Sequence, residues 1–245
     1  MKLFHMVAIF AAGATACSTP PSATATHQPL AQSTPIATPT LFTLATLNKI
    51  NEELIAAAQL GDSDRVRQLL SQGASAQYQD TSGTTALIAA AYRNHLAVAK
   101  LLIDAGADVN VQDSSKQSAY LIATSEGYVE LLKLTLQAGA DMHRTDSYNG
   151  TGLIRAAHRG HVEIIQVLLR TDIKVNHINR LGWTALLEAI ILGDGGPRHT
   201  EVVRLIVQAG ADVNLADSNS VTPFAHARQR GYTDITTILE KAGAK

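Results

Sequence analysis

A 33-residue period governs most of this chain. Gly73, Gly106 and Gly139 stand 33 residues apart, each at the end of an apolar stretch. Asp172 occupies the next equivalent position, Gly210 follows after five extra residues, and Gly243 comes 33 residues later. Ahead of each marker lies a matching start, at Leu54, Thr85, Ser118, Thr151, Thr184 and Thr222, rich in alanine and short aliphatic residues. A leucine-rich stretch at helical spacing then completes the unit, as in residues 162–169. Self-similarity at this period marks a solenoid, in which a unit cannot bury its own apolar face and stacking supplies the core. Six units are expected within residues 47–245, at about 51–83, 84–116, 117–150, 151–182, 183–220 and 221–245.

The first fifty residues follow different rules. After Lys2, an apolar run from Leu3 to Ala16 is broken mainly by His5. It is too short for a bilayer of about 30 Å, which takes about 20 helical residues. A basic start, a short apolar run and Ala14-Thr15-Ala16 read as a signal peptide over 1–16. Cys17 is the only cysteine, which excludes an internal disulfide and multi-cysteine metal sites. From Leu3 to Asn48 there is no Asp, Glu, Lys or Arg, and Ser18–Thr40 holds five of the seven prolines. Such a segment buries too little apolar surface to offset its ordering entropy, so 17–46 is expected to be a disordered Pro/Thr/Ser linker. The near-neutral formal charge of −1 gives no footprint for nucleic acid.

The repeat units resemble the ankyrin-repeat family, and the resemblance covers about four-fifths of the chain. It implies an all-α fold of about six helix–turn–helix repeats with projecting hairpin loops. The family's usual Thr-Pro-Leu-His tetrad has lost its His throughout, replaced by Ile88, Leu121, Ile154, Leu187 and Ala225. The fourth repeat departs again at Thr171–Lys174, where an irregular loop is expected. The N-terminus resembles that of bacterial lipoproteins. That resemblance implies a lipidated Cys17 as the mature N-terminus and an outer-membrane anchor in the periplasm, with a soluble periplasmic protein as the alternative.

Ankyrin proteins usually meet a partner on the concave side, built from hairpin tips and first helices. Carried over position by position, this gives Tyr92, Arg93, Tyr148, Arg155, His158, Arg159, Arg180, Trp183 and Glu188 as candidate partner-binding residues. The five-residue insertion adds Asp194, Arg198 and His199, in a segment Gly193–Thr200 expected to be an extended loop with glycines able to approach an anion. Trp, Tyr and Arg are the types that anchor interfaces once desolvated. Glu188, Asp194, His158 and His199 could supply an acid and a base, but no nucleophile elbow, metal triad or cofactor fingerprint accompanies them. The chain therefore reads as no enzyme, with no cofactor. His158 and His161 could approach a metal, yet His161 and His95 occupy the structural turn position of the repeat. The expected function is a protein-binding adaptor in the cell envelope. The alternative is an accessory role in periplasmic oxidative-stress defence, through catalase support or haem or metal handling.

Overall fold

The computed structural model describes residues 43–245, and these are all helical and loop, with no strand. The signal peptide, Cys17 and the linker up to residue 42 lie outside the described residues. Twelve helices form six pairs: α1 (Leu44–Leu60) with α2 (Ser63–Ser71), α3 (Ala86–Tyr92) with α4 (Leu96–Asp104), and α5 (Ala119–Glu126) with α6 (Val129–Gln137). Then come α7 (Gly152–Arg159) with α8 (Val162–Leu168), α9 (Ala185–Ile191) with α10 (Pro197–Gln208), and α11 (Pro223–Gln229) with α12 (Thr233–Lys241). The first helix begins at Leu44, with Thr43 accepting the amide of Thr46 as N-cap, so residues 44–46 are helical where a linker was expected.

Each odd helix packs on the next odd helix, and each even helix on the next even one. The local sequence makes this possible. Thr85, Ser118, Thr151, Thr184 and Thr222 each cap a first helix by accepting the amide three residues on. Behind the cap, small residues such as Ala86, Ala90 and Ala91 are almost fully buried and let neighbouring backbones approach closely. Leucines and isoleucines of the second helices, including Leu102, Leu131, Ile165 and Ile206, fill the far side.

Asparagines stitch repeats together beyond the helices. Asn110 donates to the Gly139 carbonyl at 3.1 Å and accepts from Asp141 at 2.7 Å. Asn176 and Asn214 repeat this with Gly210 and Asp212, and with Gly243 and Lys245. The fourth repeat lacks the stitch, because His143 stands for Asn and Asp172 for Gly, and the two face each other at 3.7 Å. Gly139 and Gly210 hold φ near +86° and +88°, a conformation Asp172 does not share. The irregularity expected at Thr171–Lys174 is therefore a changed joint, with Ile173 buried in place of the usual alanine.

One core contact is a matched pair of departures. Tyr120 stands where other repeats carry Leu87, Leu153 or Leu186, and it is buried with a hydroxyl that has no partner. Burial pushes that phenol well above its ordinary range, with Asp141 adding to the effect. Gly152 opens α7 where α3, α5 and α9 begin with alanine, and a Cβ there would meet the Tyr120 hydroxyl at 2.4 Å. Glycine in a helix ordinarily costs up to about 1 kcal/mol against alanine, while overpacking a core costs about 1–3 kcal/mol. The clash wins. Gly152→Ala is expected to lower unfolding stability by about 1–2 kcal/mol. In a Tyr120→Leu background the same change should cost at least about 1 kcal/mol less, a coupling readable by a double-mutant cycle in urea. Equal costs in the two backgrounds would refute the pairing.

Candidate functional site

In every hairpin one side-chain oxygen organises the turn. Oδ1 of Asp80, Asp113, Asp146, Asn179 and Asp217 accepts the backbone N–H groups two and four residues on, at 2.8–3.0 Å. The remaining polar atom of that side chain points back to the first helix. Asp146 accepts from Arg155 at 2.6 Å, and Asp217 accepts from His226 at 2.9 Å, in each case nine residues on. At Asp113 the ninth residue is Ile122, and the Tyr92 hydroxyl of the preceding repeat takes its place at 3.3 Å. In the fifth repeat the ninth residue is Glu188. There the hairpin residue is Asn179, whose amide donates to Glu188 Oε1 at 2.7 Å. An aspartate at 179 would have set two carboxylates against each other, so the two substitutions belong together.

Between the fourth and fifth repeats this arrangement leaves a pocket of about 300 Å³ in the angle between hairpins and first helices. Tyr148, Leu181 and Leu192 stand around it, 62%, 45% and 43% exposed, and Ile154 lines it from α7. Its polar wall holds Asn179, Glu188, His158 and Arg159. His158 lies 3.8 Å from Glu188 and is half exposed, and Arg159 is exposed with no ion pair among the described residues. Burial pushes the Glu188 carboxyl up to about 7, with nearby Asp146 adding to this and the Asn179 hydrogen bond opposing it. Burial also holds His158 below its ordinary value, helped by Arg159. With the Glu188 carboxyl held up to about 7, this wall is less anionic at neutral pH than its composition suggests.

The residues expected to meet a partner divide into groups. Tyr148, His158, Arg159 and Glu188 come together at this pocket. Arg155 lines it too, but its guanidinium is engaged by Asp146, the Ser125 hydroxyl and Gln117, so it ties repeats three and four together instead of facing outward. Tyr92 and Arg93 sit at an equivalent groove between the first two repeats. Arg180 joins adjacent hairpins, its backbone amide donating to Tyr148 at 2.8 Å and its guanidinium to Ser147 at 2.7 Å. Trp183 is half-buried and does not line the pocket, so it is no anchor beside Arg159. Leu181 and Leu192 are the apolar groups that do.

His199 corrects an expectation. It is only 7% exposed, with Nε2 on the His158 carbonyl at 3.1 Å and Nδ1 on Asp194 at 2.8 Å. His95 and His161 do the same to Gln59 and Ser125, so His199 is the turn histidine of the fifth repeat. His161 being committed in this way, it does not converge with His158 on a metal. The insertion is also shorter as a loop than expected. Pro197 begins α10, whose preset φ suits a first helical position, and only 193–196 form the turn. Asp194 remains exposed, and its own carboxylate accepts the Gly196 amide at 2.9 Å, where an external anion would have to sit. That hydrogen bond, followed by the one to His199, keeps the Asp194 carboxyl below its ordinary value. Arg198 is exposed on the first turn of α10.

Glu188 makes stability depend on pH in a defined direction. Its folded value lies above the unfolded one, so the folded state binds the extra proton and loses stability as pH rises through about 7. Denaturant unfolding at pH 5 and pH 8 should differ by about 2 kcal/mol, with the higher stability at pH 5. Glu188→Gln retains the Asn179 hydrogen bond and should flatten that difference. A wild-type curve already flat across this window would contradict the burial assigned to Glu188.

Comparison with known proteins agrees with the repeat geometry. The family model for ankyrin repeats (3 copies) matches residues 54–146, 120–217 and 153–245. An ankyrin repeat protein of Escherichia coli (strain K12), YahD, is 45% identical over 69 residues, which is 28% of this chain and 34% of YahD. The chain thus spans about a third of that relative. A crystal structure of an ankyrin repeat domain from Acinetobacter baumannii AYE is similar at a TM-score of 0.76 and 47% identity, over 79% of this chain and 98% of that one. The ankyrin repeat protein EF0377 is similar at 0.75 and 34% identity, over 80% and 98%. Such repeats generally mediate protein–protein interaction, typically as scaffolds without catalysis, and no catalytic family is indicated. With family matches running from residue 54 to residue 245, this chain belongs to the ankyrin-repeat family.

Proposed function

We propose that this protein is a non-catalytic adaptor of the bacterial cell envelope that captures another protein on the side formed by its hairpins and first helices. The observation that carries the reading is the pocket between repeats four and five. Tyr148, Leu181 and Leu192 present apolar surface around it, and Arg159 stands beside them without an ion pair among the described residues. Aromatic, leucine and arginine side chains on a preformed scaffold bind with little ordering cost. A lipidated Cys17 would hold the adaptor at the membrane, with the Pro/Thr/Ser segment as its tether.

Both halves of the proposal are testable. The Tyr148→Ala/Arg159→Ala pair removes two exposed side chains, so stability should stay within about 1 kcal/mol of wild type. Recovery of the partner by crosslinking and mass spectrometry should fall at least about tenfold, as expected for lost interface anchors. Equal recovery would remove the docking assignment. Cys17→Ala should shift the protein from the membrane fraction to the soluble periplasm and remove acyl mass from its mature N-terminus. An unmodified N-terminal mass in the wild type would defeat the anchor.

A further inference from the structure

The C-terminal ends of the six first helices, as last residue or C-cap, form a row of equivalent positions: Leu60, Arg93, Glu126, Arg159, Leu192 and Arg230. All six side chains are exposed, and none takes part in an ion pair among the described residues. Since each odd helix stacks on the next, these positions lie side by side along the groove. Arg93 borders the groove between repeats one and two, and Arg159 and Leu192 border the pocket between four and five. The row carries three cations and one acid in a chain whose overall formal charge is −1.

Helix electrostatics accounts for only part of the row. Cations at helix C-termini are favoured by the dipole, which suits Arg93, Arg159 and Arg230 without any partner. Glu126 sits at the same end of α5, where the dipole opposes it. An acid there, between two arginines in the row and paired with neither, is what a complementary ligand of alternating charge requires.

We propose that this row reads an extended peptide segment bearing acid, base, acid and apolar side chains at every third residue, opposite Arg93, Glu126, Arg159 and Leu192. The spacing follows from geometry. Packed helices lie about 8–10 Å apart. A polyproline-type chain advances about 9 Å in three residues and returns its side chain to the same face. One peptide side chain therefore meets each repeat. The apolar residue enters the pocket among Tyr148, Leu181 and Leu192, which fixes the register. This rests on the reading of the groove as the docking side and names the chemistry of what docks there.

The test uses the full repeat domain in its native chain and a capped synthetic peptide, Glu-Pro-Ala-Lys-Pro-Ala-Glu-Pro-Ala-Leu, made in this order and in reverse. Each exposed ion pair contributes about two- to fivefold to an affinity. Exchanging Glu and Lys in the peptide should therefore weaken binding about tenfold or more. Glu126→Lys should weaken the original peptide and strengthen one with its central Lys changed to Glu. Arg159→Glu should weaken the original peptide about five- to tenfold, and raised salt should diminish every difference. Binding that ignores charge exchange, or an unchanged preference in Glu126→Lys, overturns the row. Loss of partner capture in Tyr148→Ala/Arg159→Ala with peptides indifferent to charge would leave the docking side standing and remove the row alone. Charge-selective peptides with capture unaffected would keep the row and place the partner elsewhere.

Discussion

Helices of seven to nine residues, which is the length of ten of the twelve here, are too short to persist alone in water. They exist because each buries one face on the next repeat, and this dependence sets the terms for everything else. Small residues at the contact face of the first helices bring the odd helices together, and the aliphatic second helices close the other side. Positions in that contact leave little freedom. Where one of them grows, its neighbour has to shrink, as Tyr120 and Gly152 do across the third and fourth repeats. The chemistry particular to this protein is thereby confined to the hairpins and to the outer ends of the first helices.

The hairpins obey a second constraint of the same kind. A carboxylate or amide oxygen must hold two backbone amides in every loop, which leaves one polar atom to be satisfied by a neighbour. Arg155, Glu188 and His226 answer that requirement in successive repeats, and Tyr92 answers it from the repeat before. Three of these four were read from the sequence as partner-binding groups. They are first of all the groups that complete the loops. Arg155 is fully engaged in that role. Glu188 remains at the pocket with a carboxyl whose burial moves it to about 7, so the framework itself brings a titrating group to the docking side.

Repeat number, helix pairing and the structural role of His95 and His161 were legible because each depends on local spacing. The exposure of individual side chains was not, since residue type alone does not tell a free arginine from one held by three acceptors. His199 could have been recognised: it lies 38 residues after His161, the 33-residue period plus the five inserted residues, and so inherits the turn position. Pro197 likewise marked a helix start within a segment read as loop. The interval of nine residues between Asp146 and Arg155, repeated between Asn179 and Glu188, was a visible signal of hairpin pairing. Trp183 misled because its size suggests an anchor, whereas its position in the repeat sets it away from the pocket.

The joint between the third and fourth repeats shows how the two constraints meet. On the side of the second helices the asparagine stitch is missing, and His143 and Asp172 replace it at 3.7 Å with both side chains largely exposed. Such a pair contributes little, at most about 1 kcal/mol. On the opposite side Arg155 reaches from the fourth repeat to Ser125 and Gln117 of the third while also holding Asp146. The His161 ring meets the Ser125 carbonyl of the third repeat at 2.9 Å. Polar ties at this joint are thus concentrated toward the hairpins and first helices. That is the side on which Glu126 and Arg159 must keep their relative positions for a ligand to find both, and a firm joint there fixes their spacing even where the outer helices are less tightly bound.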